Sequence, residues 1–460
     1  MVHILDPLSL PPFHVIIHAG IQAIEEFSRN FNSAVSKEPE KFILLVLDIG
    51  DEINEVYIDS LFSGLAYSEK LPEVPFELIE IILLKYPGDN KSYRARYICD
   101  IIEKRKDDKW SEAIMSVLKD IALNHKDPEE GKVDVSSSVD KEMKTFDMLS
   151  SNSLNCVRGK AASAIAALLW DRSELYVQFK DVVDNLINDI NPAVKMATIE
   201  CLCPIYNIDR DWASPKVICL LKEDYRISGH PESKQFLFLL YSNYKQDVLD
   251  VIRRCYYSDD EELITIGAHC LSKMYILYDE FSQEVEDVKN MDEDQAKSII
   301  EMAILYFSKD QYSKKVKSLL RCFFSSDQDL EFPFVRLFYD NRIDLDRDIE
   351  FLLEMVQSKL SKRIIHAFIS YLEENAMSVI DFSDVIIQMS NNILQRPLDD
   401  EDHHYMGIDD EISKLISALY DESLNYEDDN ITQQCLDIWD LMFEKRIGSI
   451  HRLSRQILER

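Results

Sequence analysis

Apolar positions along the chain fall at the spacing of one face of an α-helix, and the same face is written more than once. In NCVRGKAASAIAALLW, which begins at Asn155, Val157 is followed by Ala161, Ile165, Leu168 and Leu169. In NPAVKMATIECLCPIY, which begins at Asn191, the same offsets carry Val194, Thr198, Leu202, Ile205 and Tyr206. Residues so spaced share one side of a helix, so each stretch predicts a helix with a small residue near the middle of its buried face. The pattern returns at Leu263 with Gly267, Leu271, Met274 and Tyr275. It is looser at Tyr312 with Val316, Leu320, Phe323 and Phe324, and looser still at Tyr93 with Tyr97 and Ile101.

The first two copies are 194 − 157 = 37 residues apart and the next interval is 263 − 194 = 69, close to two such units. That length holds two helices and their turns, and a second apolar helix follows each copy, in YVQFKDVVDNLIND and SPKVICLLKED. The small fourth residue lets a neighbouring helix approach closely, and stacking buries what one pair cannot. With Gly (10) and Pro (14) both scarce, the chain reads as all-α. Val157, Ala161, Ile165, Val194, Leu202, Leu263 and Leu271 are the expected core.

VRGKAASAI resembles the Val-Arg-x-x-Ala core of HEAT repeats, with Val157, Arg158, Ala161 and Ile165 in the motif's places and Val194-Lys195 a near match. The resemblance covers about residues 153–280. It implies a right-handed α-solenoid of HEAT-like helix pairs, with roughly eleven units over the chain at the family's length of about 40 residues. It also implies that Arg158 ties one turn to its neighbour.

Two breaks interrupt the periodicity. HKDPEEGKVDVSSSVDKEMKTFDMLSSNSLN mixes Pro, Gly, Asp and a Ser triplet, with one short helical stretch at DKEMKTFDML. From Pro397 to Asn430 twelve acidic residues face one Lys, a run of like charge that opposes packing. The expected organisation is therefore N-terminal helical repeats over 1–125, an insertion at 126–152, HEAT-like repeats over 153–395, an acidic loop at 396–410 and capping helices over 411–460. Insertions into a stacked array emerge on one face and carry contacts. Glu129, Glu130 and Lys132 in the first break, and Asp399, Asp400, Glu401 and Asp402 in the second, are the candidate partner-binding residues.

Charge narrows the partners. A formal charge of −33 with no basic stretch repels phosphate backbones, which argues against nucleic acid on a broad basic face and favours a basic protein surface. Nine Cys are scattered without a CxxC, which reads as reduced core thiols in a cytoplasmic protein. MVHILDPLSLPP has no basic residue before its apolar run and predicts no signal peptide. Runs such as FILLVL are too short to cross a bilayer.

Candidate chemistry changes little. Gly131-Lys132 and Gly159-Lys160 lack the upstream Gly and the following Ser or Thr of a P-loop, and GxSxG and HExxH are absent. His14 and His18 in HVIIH stand one turn apart with no third ligand beside them, while His403 and His404 lie in an acidic stretch with no fixed frame. Cys201 and Cys203 point in different directions on one helix. Asp259, Asp260, Glu261 and Glu262 are placed to complement the start of a helix at Leu263. No metal, no cofactor and no catalysis are expected.

CLDIWDLMFEKRIGSIHRLSRQILER, together with DPEEGKVDV and NCVRGKAASAIAALLW, resembles the C-terminal ends of large bacterial STAND-type NTPases of antiviral defence. In that family the helical-repeat end is the sensor of a viral protein, and the ATPase and effector lie N-terminal to it. The resemblance implies a non-catalytic, protein-binding sensor arm. A scaffold or adaptor in a cytoplasmic complex is the alternative, and a HEAT-like glycosylase or lyase a third reading that the acidic charge disfavours.

Overall fold

The computed structural model describes residues 21–129, 145–395 and 407–445, without the side chains of 21–26, 345, 346 and 409. Among the described residues every regular element is helical and none is a strand. The chain forms two compact units, residues 1–251 and 252–460.

Unit 1 holds α1 (Ile21–Lys37), α2 (Pro39–Ile49), α3 (Glu55–Tyr67), α4 (Phe76–Lys85), α5 (Arg94–Lys104) and α6 (Glu112–Asn124). After these come α7 (Phe146–Asn155), α8 (Val157–Asp171), α9 (Tyr176–Ile187), α10 (Pro192–Ile208), α11 (Arg210–Glu223) and α12 (Pro231–Leu240). Helix α13 (Lys245–Tyr256) carries the chain across the unit boundary. The starts are locally encoded. Asn54, Ser111, Thr145, Asn191 and Asp209 each accept a backbone N–H of the first turn, and Pro39, Pro192 and Pro231 occupy a position whose N–H has no helical partner.

The helices of unit 1 pack in two layers. Helices α1, α3, α5, α8 and α10 lie side by side in one, and α2, α4, α6 and α9 in the other. Every expected core residue here is sealed, with Val157, Ala161, Ile165, Val194 and Leu202 all at 0 % exposure. A small residue outside the repeated offsets also lets helices close in: a Cβ on Gly159 would stand 2.4 Å from Ser153 O and 3.3 Å from the Ala197 Cβ, so α7 and α10 both close onto α8 there. Helix α7 begins within the stretch read as an insertion and runs past its end. It packs on α8 and α10 and lays the Phe146 ring so close to Gly229 that a Cβ there would meet the ring at 2.1 Å.

Unit 2 contains α14 (Glu261–Tyr278), α15 (Ser282–Glu286), α16 (Glu293–Tyr306), α17 (Asp310–Arg321), α18 (Glu331–Tyr339) and α19 (Leu345–Gln357). It ends with α20 (Ser361–Glu374), α21 (Ser383–Gln395), α22 (Ile408–Asn425) and α23 (Asp429–Glu444). Helices α14, α16, α18, α20 and α22 pack in succession, and α19, α21 and α23 form a second row. Leu263 and Leu271 are fully buried. The acidic start of α14 caps it as expected, for the Asp260 carboxylate accepts the Leu263 N–H at 3.1 Å while Glu261 and Glu262 sit in the first turn.

Six of the nine cysteines are buried, whereas Cys203 is half-buried and Cys219 and Cys322 are exposed. Burial pushes the Cys156 thiol up to about 12. No helix among the described residues is long and apolar enough to cross a membrane.

Candidate protein-binding surfaces

The residues that open the first break are built into the array. Arg158, at the second position of α8, donates from Nε to Asp189 Oδ2 at 2.9 Å and from Nη2 to Asp189 Oδ1 at 3.1 Å. Its Nη1 donates to the His125 carbonyl at 2.7 Å. One nearly buried guanidinium thus joins the turn after α6 to the turn after α9, the tie implied for that position. Arg94 holds the equivalent place on α5, donating to the Tyr86 carbonyl and pairing with Glu55 and Asp59 of α3.

Around Arg158 the chain entering the break is held at each step. Asp127 accepts the Val157 N–H on its carboxylate at 2.7 Å and the Arg158 N–H on its carbonyl at 3.2 Å. His125 accepts the Asp127 N–H on Nδ1, so its Nε2 donates to the Ser92 carbonyl. The Glu129 carbonyl accepts from Asn191 Nδ2 at 3.1 Å. These groups line an open cleft of about 1000 Å³ whose wall includes Lys91, Lys126 and Glu129, with Leu123 and Ile190 exposed beside it. Of the seven candidate partner-binding residues, the structure places Glu129 on this cleft. Glu130, Lys132, Asp399, Asp400, Glu401 and Asp402 lie outside the described residues, as do His14, His18, His403 and His404.

A second surface runs across the outward sides of α3, α5, α8 and α10. Tyr93 and Tyr97, read from the sequence as a copy of the buried face, are turned partly outward. Tyr93 is 49 % exposed and Tyr67 is 61 % exposed. Their rings meet Tyr97 edge to face, with centroids at 5.7 and 6.2 Å. Beside them an open pocket of about 430 Å³ is lined by Arg29, Asn32, Asp59, Arg94, Tyr93 and Tyr97, among others.

From the tyrosines a row of charged groups continues helix by helix. Lys160 of α8 pairs with Asp100 of α5 at 3.1 Å. Glu200 of α10 lies beside Ser163 and His230, and His230 lies between Glu200 at 3.5 Å and Glu232 at 2.7 Å. Burial pushes the Glu200 carboxyl up, but the His230 and Ser163 hydrogen bonds and the charges of His230 and Lys160 outweigh it and hold the group below its ordinary value. Glu103 goes the other way. Burial raises it, Asp100 and Glu200 add to the rise, and Lys160 and Lys104 only partly offset them.

Sequence reasoning missed this second surface because its groups come from separate repeats, while the helical spacing of Tyr93 and Tyr97 reads as core. Among the described residues no three His, Cys, Asp or Glu side chains are grouped to hold a metal ion. No protein-family model matches the chain, and no curated protein matches its sequence.

Proposed function

We propose that the chain is a HEAT-like, right-handed α-solenoid that binds another protein and catalyses no reaction itself. The supporting observation is the pairing of rigid inter-repeat ties with exposed recognition features. Arg158 fixes the turns around a cleft of about 1000 Å³ where the insertion begins. A stiff stack offers such groups at low ordering cost, and many shallow contacts then sum to useful affinity. The partner in this reading is a protein with a basic surface, attracted by the −33 charge. The resemblance to STAND-type sensor ends makes it a viral protein and the chain a sensor arm acting in the cytoplasm.

The test is a pull-down with the full chain, followed by association rates for wild type, for Asp399→Asn/Asp400→Asn/Glu401→Gln/Asp402→Asn and for a deletion of 131–140 at two salt concentrations. Slower association for the variants, and for wild type at high salt, is the expected result. Equal rates throughout would remove both breaks from the binding surface.

A further inference from the structure

We propose that the outward side of α3, α5, α8 and α10 is a docking surface for an arginine-bearing segment of a protein partner. The inference rests on the protein-binding reading above and gives it a place on the molecule.

The aromatic end supplies the first argument. Three tyrosine rings held against one another, two of them about half exposed or more, form the amphipathic surface that interfaces favour. The patch already accommodates one guanidinium, for Arg96 lies over the Tyr93 ring at 5.5 Å. That guanidinium is engaged with the Tyr93 hydroxyl and with Asn155 Oδ1. Arg94 is engaged with Glu55 and Asp59, and Lys160 with Asp100. The cations nearest the patch therefore have partners already, while the pocket beside Tyr93 and Tyr97 is open.

The acidic end supplies the second. Glu103 is held next to Asp100 and within electrostatic reach of Glu200, and it has no hydrogen bond or ion pair of its own among the described residues. Its neighbours of opposite sign are Lys160, which is shared with Asp100, and Lys104, whose ammonium turns to the Ala66 carbonyl. A partly desolvated carboxylate without a dedicated cation opposes folding, and an incoming cation relieves it. The row from Tyr67 to Glu232 thus combines ring faces with excess carboxylates. A planar guanidinium stacks on tyrosine and offers a fork of donors to carboxylates, which a lysine ammonium matches less well.

The experiment uses the full chain and two labelled peptides, (Arg-Gly)4 and (Lys-Gly)4, titrated by fluorescence anisotropy at low ionic strength. Wild type is expected to bind (Arg-Gly)4 more tightly than (Lys-Gly)4. Tyr67→Ser/Tyr93→Ser should weaken the arginine peptide about tenfold and Glu103→Gln about fivefold. Glu374→Gln, which removes an exposed carboxylate from unit 2, should change it less than twofold. Unchanged thermal melting of the tyrosine variant separates lost contacts from lost fold. No binding of (Arg-Gly)4 by wild type overturns the proposal. So does equal weakening by Glu103→Gln and Glu374→Gln, which means attraction by the general field alone. A pulled-down partner held equally by wild type and the tyrosine variant also overturns it, yet leaves the protein-binding function standing with its contacts elsewhere.

Discussion

Replacing Arg158 with methionine keeps most of the apolar stem and removes the three hydrogen bonds that join the turn after α6 to the turn after α9. Two of those bonds, at 2.9 and 3.1 Å, go to the Asp189 carboxylate, and the third, at 2.7 Å, goes to a backbone carbonyl. Breaking a buried ion pair by removing one partner costs about 3–5 kcal/mol, because the other charge is left without compensation. Asp189 keeps the Asn191 N–H at 2.8 Å and is not wholly sealed, which places the expected loss near the lower end, about 3 kcal/mol. A cycle of Arg158→Met, Asp189→Asn and the double variant isolates the pair itself, with an expected coupling of about 2 kcal/mol. An array of stacked helices need not unfold as one body, so the readout is amide hydrogen exchange resolved over α8, α9 and α10. A loss below about 0.5 kcal/mol, or a coupling near zero, would refute the tie. Loss of partner capture with exchange unchanged would make Arg158 a contact residue on the cleft instead.

Gly267→Ala puts a Cβ 2.3 Å from the Tyr256 amide nitrogen and 2.7 Å from the Cys255 carbonyl carbon. Backbone cannot rotate away, so a net loss of about 2 kcal/mol should appear in denaturant unfolding even after the roughly 1 kcal/mol gained from helix propensity. In unit 2, burial raises the Asp348 carboxyl, but hydrogen bonds from Arg347 and Lys317 outweigh it and hold the group below 3.8. Its contribution is therefore present above the unfolded value and lost as pH falls through the folded one, and Asp348→Asn should flatten the melting temperature against pH in that acid range. Glu103 carries the opposite sign. Burial holds its carboxyl above 4.5, so it favours the fold below that value and opposes it once pH rises past its folded pKa. Glu103→Gln should accordingly melt higher than wild type at pH 7, with the gain fading on acidification.

What the sequence conveyed well was whatever one helix encodes alone. Val157, Ala161 and Ile165 repeat as Val194, Thr198 and Leu202 because packing constrains every unit in the same way, and all six are fully buried. The start of α14 was equally legible, since capping needs only Asp260 and the three residues after it. Helix α8 marks the limit. Its residues are apolar or small almost all round, so no moment points to the side that faces out, and only the fold shows that Lys160, Ser163, Ala167 and Trp170 reach solvent. The Tyr93 copy held at Ile101, which is sealed, but not at Tyr93, for a related reason. Tyrosine satisfies an apolar template, yet its ring tolerates exposure, so the template cannot tell a core position from a surface one.

The charged row was hidden for a stronger reason: Asp100, Lys160 and Glu200 belong to three different repeats, and no spacing rule joins them. Its energetics nevertheless separate packing from recognition at one residue. Were Glu103 retained for stability, its carboxylate would be expected to find a cation or donor inside the fold, as Glu200 and Asp348 do. Instead it has only Lys160 shared with Asp100 and Lys104 turned elsewhere, in a place where charge costs stability at neutral pH. A group that weakens the fold and strengthens arginine binding must move the two measurements in opposite directions when it is neutralised. Glu103→Gln thus needs both a melt and a titration on one preparation. Higher melting with weaker (Arg-Gly)4 binding is the outcome that recognition requires, whereas lower melting with unchanged binding would return Glu103 to an ordinary structural role.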